Sequence, residues 1–287
     1  MVKVVTDSTS DIPPEVLQGL DISVVPLHVV FGDKTYRDRV DIGEEEFYRR
    51  LTTELALPTT SVPPPQDFAD VYNRLSKDTD EIISIHLTSK ESGTYNSALL
   101  GKGLVEKKCH IEVVDSQSIS MACGLLAMTA AREARAGKNL EQVTHIVRRS
   151  IQQTHILFMV DTLKYVVRGG RIGKAQGMLG SVLGVKPLLT MRDGDLSLSG
   201  VARTRARAVQ RLFDFANGYP RLTEAAVPYT TNHEAADALA ERIRTAFPGA
   251  SIHVTRVGPA LGTHAGPDSM GIAVMEGEGS KRPDGVL

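Results

Sequence analysis

Four short polar clusters contain the side chains of this sequence that could bind a charged ligand. The clusters are residues 59–61 (TTS), 92–94 (SGT), 168–171 (RGGR) and 262–266 (GTHAG). The first two supply hydroxyl donors, the third supplies guanidinium groups beside glycines, and the fourth supplies the imidazole of His264. Hydroxyls, a guanidinium and an imidazolium that meet at one point would hold an anion through charge-assisted hydrogen bonds. The clusters therefore predict a site for a carboxylate or a phosphate.

The SGT cluster has the most informative surroundings. The sequence around it predicts a strand, a Ser/Gly/Thr turn and a helix, over residues 82–87, 88–94 and 95–105. A turn at the start of a helix gathers unpaired backbone N–H groups, and the helix dipole adds partial positive charge there. This arrangement suits an anion. The simpler alternative is that Ser92 or Thr94 only caps the helix.

The elements that must position these clusters differ between the two halves of the chain. In the first half, predicted strands alternate with predicted helices. Three of these strands end in polar pairs, namely Asp7-Ser8, Thr88-Ser89 and Asp115-Ser116. Such alternation predicts a mainly parallel sheet with crossover helices, whose ligands bind at the carboxyl ends of the strands. We expect residues 22–31 to form one strand and the proline-rich residues 58–65 to form a fixed loop.

The second half mixes strands, helices and a predicted hairpin without regular alternation, so we expect a mixed α/β domain there. Residues 258–270 are expected to form a glycine-rich loop. The fold class is therefore α/β, with two domains and the ligand between them. The predicted bounds are 1–153 for the N-terminal domain, 154–276 for the C-terminal domain and 277–287 for a disordered tail.

Composition excludes several classes of protein. The 287 residues carry a net charge of -1, contain no Trp and include 5% aromatic residues, which argues against a nucleic-acid partner. No apolar run reaches the length of a membrane span, and the N-terminus does not resemble a signal peptide. Two cysteines at positions without zinc-site spacing predict reduced structural thiols, a cytoplasmic location and no metal.

Several alternatives for the candidate residues stay open. Arg168 and Arg171 could lie on a solvated loop, and His264 could bond only to nearby backbone. A serine hydrolase would need a hydroxyl, a base and a carboxylate from the set Ser92, Ser8, His264, Asp7 and Asp115, yet the sequence contains no Gly-x-Ser-x-Gly elbow. Asp7 as an aspartyl-phosphate nucleophile has no supporting partner pattern. Apolar residues could form core or line a tunnel for an alkyl chain, namely Met178, Leu179, Val182, Leu183, Leu188 and Leu189.

Taken together, the motifs resemble the DegV family, which includes the fatty-acid-binding subunits of bacterial fatty acid kinase. The matching segments in chain order are TDSTSD, PTTS, LTSKESGTYNSA, VVDSQSIS, TLKYVVRGGRIG, VKPLL and GPALGTHAGPDSMGI. The resemblance implies two α/β domains that hold a long-chain fatty acid. It also implies a carrier without catalysis of its own, which needs no cofactor and presents the fatty acid to an ATP-dependent kinase subunit that makes the acyl phosphate.

The resemblance also places individual residues. The positions that surround the carboxylate in the family fall on Thr60, Ser92, Arg171 and His264, and a basic residue linked to kinase engagement falls on Arg203. With their neighbours in the polar clusters, the candidate ligand-binding residues are Thr60, Ser61, Ser92, Gly93, Thr94, Arg171 and His264. Val62, Arg168 and Asp268 depart from the family pattern, and Asp268 could weaken anion binding if it faces the site.

Two functional hypotheses follow, and they differ in the pocket they require. A fatty-acid carrier needs a long apolar tunnel behind Ser92, whereas an enzyme acting on a small carboxylated or phosphorylated metabolite needs a shallow polar cleft with a poised base. A nucleic-acid regulator that uses Arg203, Arg205 and Arg207 has little support. We expect no integral membrane contact, with transient contact at a membrane surface left open.

Overall fold

The computed structural model describes residues 1–172 and 184–277, in which strands and helices alternate through most of the chain. The first half contains β1 (Lys3–Asp7), α1 (Pro14–Leu20), β2 (Ile22–Val25), β3 (His28–Phe31), β4 (Lys34–Arg37), α2 (Glu44–Thr53), β5 (Thr59–Ser61), α3 (Pro65–Leu75), β6 (Glu81–His86), α4 (Thr94–Lys102), β7 (His110–Asp115), α5 (Ser120–Arg135) and α6 (Leu140–Ile151). The second half contains β8 (Thr154–Met159), α7 (Lys164–Arg168), β9 (Lys186–Arg192), β10 (Asp195–Ala202), α8 (Arg205–Asn217), β11 (Leu222–Tyr229), α9 (His233–Ala246), β12 (Ser251–Arg256), α10 (Pro259–Ala265) and β13 (Met270–Glu276).

Two large sheets organise these elements. The first has the order β2-β1-β6-β7, and each pair of neighbouring strands in it is parallel. The second has the order β10-β9-β8-β13-β11-β12, in which only β11 and β12 are parallel. The predicted α/β class, with a parallel sheet in the first half and a mixed arrangement in the second, is confirmed.

A small antiparallel sheet of order β4-β3-β5 corrects two predictions. Residues 22–31 form two strands in different sheets, not one, because Pro26 lies between them and cannot donate to a ladder. Within the predicted loop 58–65, residues Thr59–Ser61 form a strand at the edge of this sheet. An edge position is where flanking prolines are tolerated.

Helix α5 connects the two large sheets. Twelve of its sixteen residues are buried, and one cluster of buried apolar residues joins it to β1 and β6 on one side and to β8, β11 and β13 on the other. Gly124 lets α5 pack closely against the turn after β1, because a Cβ at this position would lie 2.6 Å from the carbonyl oxygen of Ser10. The two halves of the chain therefore share this cluster, and the mixed sheet begins at residue 154, next to the predicted boundary. Of the predicted tail, Gly277 is buried and donates its N–H to Arg221 O, and residues 278–287 lie outside the described part.

A buried polar junction also ties the halves together. Asp11 has a left-handed backbone (φ 52°), and its side chain is fully buried. Its carboxylate accepts from Arg39 Nη2 (3.1 Å), Ser120 Oγ (2.6 Å) and the backbone N–H of Gly258 (2.9 Å). Its carbonyl accepts from Thr255 Oγ1 (2.7 Å). Asp11 therefore links the first strand-turn unit to the loop that precedes α10.

Asp38 in the same junction makes stability depend on pH. Burial raises its pKa from 3.8 to about 7, against the opposing attraction of Arg39. Between about pH 4 and pH 7 the folded state therefore holds a proton that the unfolded state has lost, so the free energy of unfolding falls as pH rises. We expect Asp38→Asn to raise the free energy of unfolding by about 2–4 kcal/mol relative to wild type between pH 5 and pH 8, as measured by urea denaturation. The exposed Asp41, whose pKa the Arg37 hydrogen bond lowers to about 2, is the control. An Asp41→Asn variant that gained as much would contradict the assignment.

Candidate functional site

His264 lies on the last turn of α10, in a segment predicted as loop. That prediction is wrong, because Pro259 supplies the preset φ of a first helical turn and Gly266 (φ 73°) ends the helix after two turns. The His264 Nε2 atom lies 2.8 Å from Thr60 Oγ1 on β5. Two clusters separated by 204 positions in the sequence therefore meet in direct contact.

Arg171 approaches the same place from the turn after α7. Its Nη1 donates to Gly169 O (2.6 Å), and its Nε donates to the backbone carbonyl of Glu91 (3.3 Å). Both acceptors are uncharged, and a guanidinium has five donors. Within residues 1–172 and 184–277 no other acceptor pairs with this guanidinium, so its remaining N–H groups can bind a carboxylate in the fork geometry typical of arginine.

Ser92 and Thr94 interact with each other before α4 begins. The Ser92 and Thr94 hydroxyls lie 2.9 Å apart, and Ser92 Oγ accepts weakly from Thr94 N (3.3 Å). Ser92 therefore caps the helix in part, since this bond satisfies one backbone N–H at the start of α4. Gly93 is the residue before the helix and is exposed.

One cavity of about 950 Å³, counting its open mouth, lies between the two halves of the chain. Thr60, Ser92, Arg171 and His264 all line it. The other three candidates do not: Ser61 and Gly93 are exposed, and Thr94 is buried beside Ser92. Most of the wall is apolar, with contributions from both halves that include Leu27, Leu87, Ile119, Ile156, Phe158, Met191, Leu196 and Met270.

Among the described residues that line the cavity, Arg171 is the one permanent cation. Burial and the neighbouring charge of Arg171 lower the pKa of His264 to about 4, so the imidazole is neutral at pH 7. The imidazolium form, which a free histidine could adopt near neutrality, is therefore disfavoured at this residue. The buried Nδ1 of His264 has no hydrogen-bond partner among the described residues. Such an atom is costly unless a ligand pairs with it.

Gly169 lets the imidazole reach this position. A Cβ at residue 169 would lie 2.1 Å from His264 Nδ1, far inside van der Waals contact. We expect Gly169→Ala to displace the imidazole from Thr60 and to weaken binding of an anionic ligand about tenfold, as measured by calorimetric titration. Gly19→Ala is the control, because a Cβ at Gly19 meets nothing within 4 Å. Unchanged affinity in the Gly169 variant would mean that the imidazole is not needed at this position.

The remaining sequence candidates do not converge on the cavity. Ser8 Oγ accepts from Leu27 N, and Asp7 binds His86 and Leu87 N. A chain of hydrogen bonds in the order of a hydrolase triad does exist, from Ser84 through His86 to Asp7. It is fully buried in the parallel sheet, where no substrate can reach the serine. The predicted combinations with His264 are not formed.

Three residues depart from the family pattern, and none of them lines the cavity: Val62, Arg168 and Asp268. Asp268 is exposed and accepts from Thr231 Oγ1 (3.0 Å). Arg203 and Arg168 are exposed as well. Among the apolar candidates, Leu188 and Leu189 are buried on β9, whereas Met178, Leu179, Val182 and Leu183 lie outside the described residues. Glu91 lines the cavity and was missed, because nothing in the sequence distinguishes it from a solvated turn residue.

Residues 1–172 and 184–277 contain no group of three His, Cys, Asp or Glu side chains that could hold a metal ion. No helix within them is both long enough and apolar enough to cross a bilayer.

Known proteins resemble the chain along nearly its whole length. A family model described as "Uncharacterised protein, DegV family" matches residues 1–277. A DegV domain-containing protein of Caldanaerobacter subterraneus subsp. tengcongensis is 35% identical over 278 residues, which cover 96% of this chain and 99% of that protein.

Solved structures show the same likeness. A DegV family protein from Thermus thermophilus, described for its fatty acid binding, superposes with a TM-score of 0.87 at 33% identity, covering 96% of this chain and 99% of the other. A stearic acid-binding protein from Eubacterium ventriosum superposes with a TM-score of 0.88 at 29% identity, covering 96% and 98%. On the family match and these identities, the chain belongs to the DegV family.

Proposed function

We propose that this protein binds a long-chain fatty acid, with its alkyl chain in the cavity and its carboxylate at Thr60, Ser92, Arg171 and His264. The observation that carries the proposal is a largely apolar cavity between the two halves with these four polar groups gathered at one place. Each buried methylene gains about 0.8 kcal/mol, which gives a long chain a large driving force. A carboxylate entering such a site must be paired, and Arg171 has N–H groups that no described residue occupies.

Relatives support the same ligand class. The structures from Thermus thermophilus and Eubacterium ventriosum are described as fatty acid-binding and stearic acid-binding, and both share this fold over nearly the full chain. Chain length and saturation in the present protein depend on the shape of its own cavity.

The protein's role in this proposal is that of a carrier. It presents the bound fatty acid in the cytoplasm to a separate ATP-dependent kinase subunit, which phosphorylates the carboxylate to an acyl phosphate, and it supplies no cofactor of its own. The exposed Arg203, between β10 and α8, is the proposed contact for that subunit. Incubation with ATP and a candidate kinase subunit, with mass-spectrometric detection of acyl phosphate, tests this role.

The alternative function is an enzyme that acts on a small carboxylated or phosphorylated metabolite at the same anion site. Glu91 is the observation in its favour, since a half-buried carboxyl at the cavity wall is a candidate base. The long apolar wall argues against it, because a small polar substrate would leave that surface uncovered.

Native mass spectrometry of the purified protein, followed by denaturing extraction, tests the binding proposal. A co-purified fatty acid would support the carrier function and report chain length and saturation. A protein that carries none and also fails to take up added palmitate or oleate would contradict it and would favour the metabolite enzyme.

A further inference from the structure

Glu91 brings a negative charge into the wall of an anion site. It precedes Ser92 in the chain and lines the cavity together with Ser92 and Arg171. Its Oε1 accepts from the backbone N–H of Leu196 on β10 (3.0 Å). Its carbonyl accepts from Arg171 Nε (3.3 Å), so the carboxylate belongs to the residue that orients the guanidinium.

The charges that the described residues direct at the head group therefore nearly cancel. Among the described residues that line the cavity, Arg171 is the only cationic side chain and Glu91 is the only acidic one. The neighbouring charges Lys90 and Asp195 pair with each other at 3.0 Å. A neutral His264 adds hydrogen-bonding capacity without charge. A site built for the strongest anion binding would omit the glutamate.

Burial and the charge of Asp195 raise the pKa of Glu91, whereas the Leu196 N–H and Arg171 favour its ionised form. At pH 8 or above, the ionised carboxylate is expected to dominate in the absence of ligand. Experiments at that pH therefore test the charge itself.

We propose that Glu91 sets the charge preference of the head-group site, so that a singly charged carboxylate is retained and a doubly charged phosphorylated head is released. The inference rests on the proposed fatty-acid function. Coulomb repulsion scales with the charge of the ligand, so the free-energy penalty for a dianion is about twice that for a monoanion. Removing the charge of Glu91 should therefore change the affinity for a dianion by about the square of the factor by which it changes the affinity for a monoanion.

Three ligands with the same sixteen-carbon chain separate these effects. Hexadecanol is uncharged, palmitate carries one negative charge, and hexadecyl phosphate carries close to two at pH 8. Glu91→Gln keeps an oxygen that can accept from Leu196 N–H and removes only the charge. We expect this variant to bind hexadecanol as wild type does, palmitate about fivefold tighter and hexadecyl phosphate about 25-fold tighter at low salt.

Two further variants complete the experiment. Glu91→Leu removes the Leu196 bond as well, so it is expected to show the same dependence on ligand charge with an added loss common to all three ligands. Glu141→Gln removes an exposed glutamate that does not line the cavity, and is expected to change none of the affinities. Equal changes for the three ligands in the Glu91→Gln variant would overturn the inference alone. Failure of wild type to bind any of them would overturn the proposed function and this inference with it.

Discussion

Replacing Asp11 by alanine is expected to lower the free energy of unfolding by about 3–5 kcal/mol, the cost typical of breaking a buried ion pair from one side. The Asp11 carboxylate is the shared acceptor for Arg39, Ser120 and the Gly258 N–H. Alanine would leave the mostly buried Arg39 guanidinium with less compensation and the Gly258 N–H without its partner. Urea denaturation at pH 7, followed by circular dichroism, measures the change.

Asp21 provides a matched control for this substitution. It too has a left-handed backbone (φ 57°), so Asp→Ala carries a similar conformational cost at both positions. Its side chain is exposed and, among the described residues, pairs with Lys3 alone, a surface interaction worth about 1 kcal/mol or less. A loss in Asp11→Ala that did not exceed the loss in Asp21→Ala would show that the junction contributes little to stability.

The fold was largely accessible from the sequence because its elements are local. Apolar runs and their polar ends predict the parallel sheet, and the strand before residue 88 and the helix after it form as expected. The errors occur where tertiary contacts decide. Residues 59–61 pair with β3, an interaction across about 30 positions. The glycine-rich segment after residue 258 becomes α10, in which packing on α2 and β3 adds to the local preference that Pro259 gives the first turn.

In the candidate site, too, some features follow from the sequence and others only from tertiary contacts. Thr60, Ser92, Arg171 and His264 were predicted from residue chemistry and from the family resemblance, and the structure brings all four to one cavity. Their protonation was not predictable, since the neutrality of His264 follows from burial that only the folded chain creates. The polar junction was missed as well, because the partners of Asp11 lie between 28 and 247 positions away.

Replacing Arg171 by alanine is expected to weaken palmitate binding about 100-fold, the second large effect. Hydrogen bonds to charged groups contribute roughly 1.5–3 kcal/mol each, and a fork of two would account for such a loss. The neutral His264 cannot replace the missing charge at pH 7, and Glu91 would then be the only charged side chain among the described residues that line the cavity. Displacement of a fluorescent fatty acid measures the affinity.

Arg168→Ala is the matched control, because Arg168 has the same charge three positions earlier but is exposed and does not line the cavity. It should leave palmitate affinity within about twofold of wild type, since an exposed charge is screened. Hexadecanol separates charge from packing: Arg171→Ala should bind it nearly as wild type does, because the alkyl chain contacts the apolar wall alone. Equal losses for palmitate and hexadecanol would mean that Arg171 supports the shape of the cavity and that the carboxylate is held elsewhere.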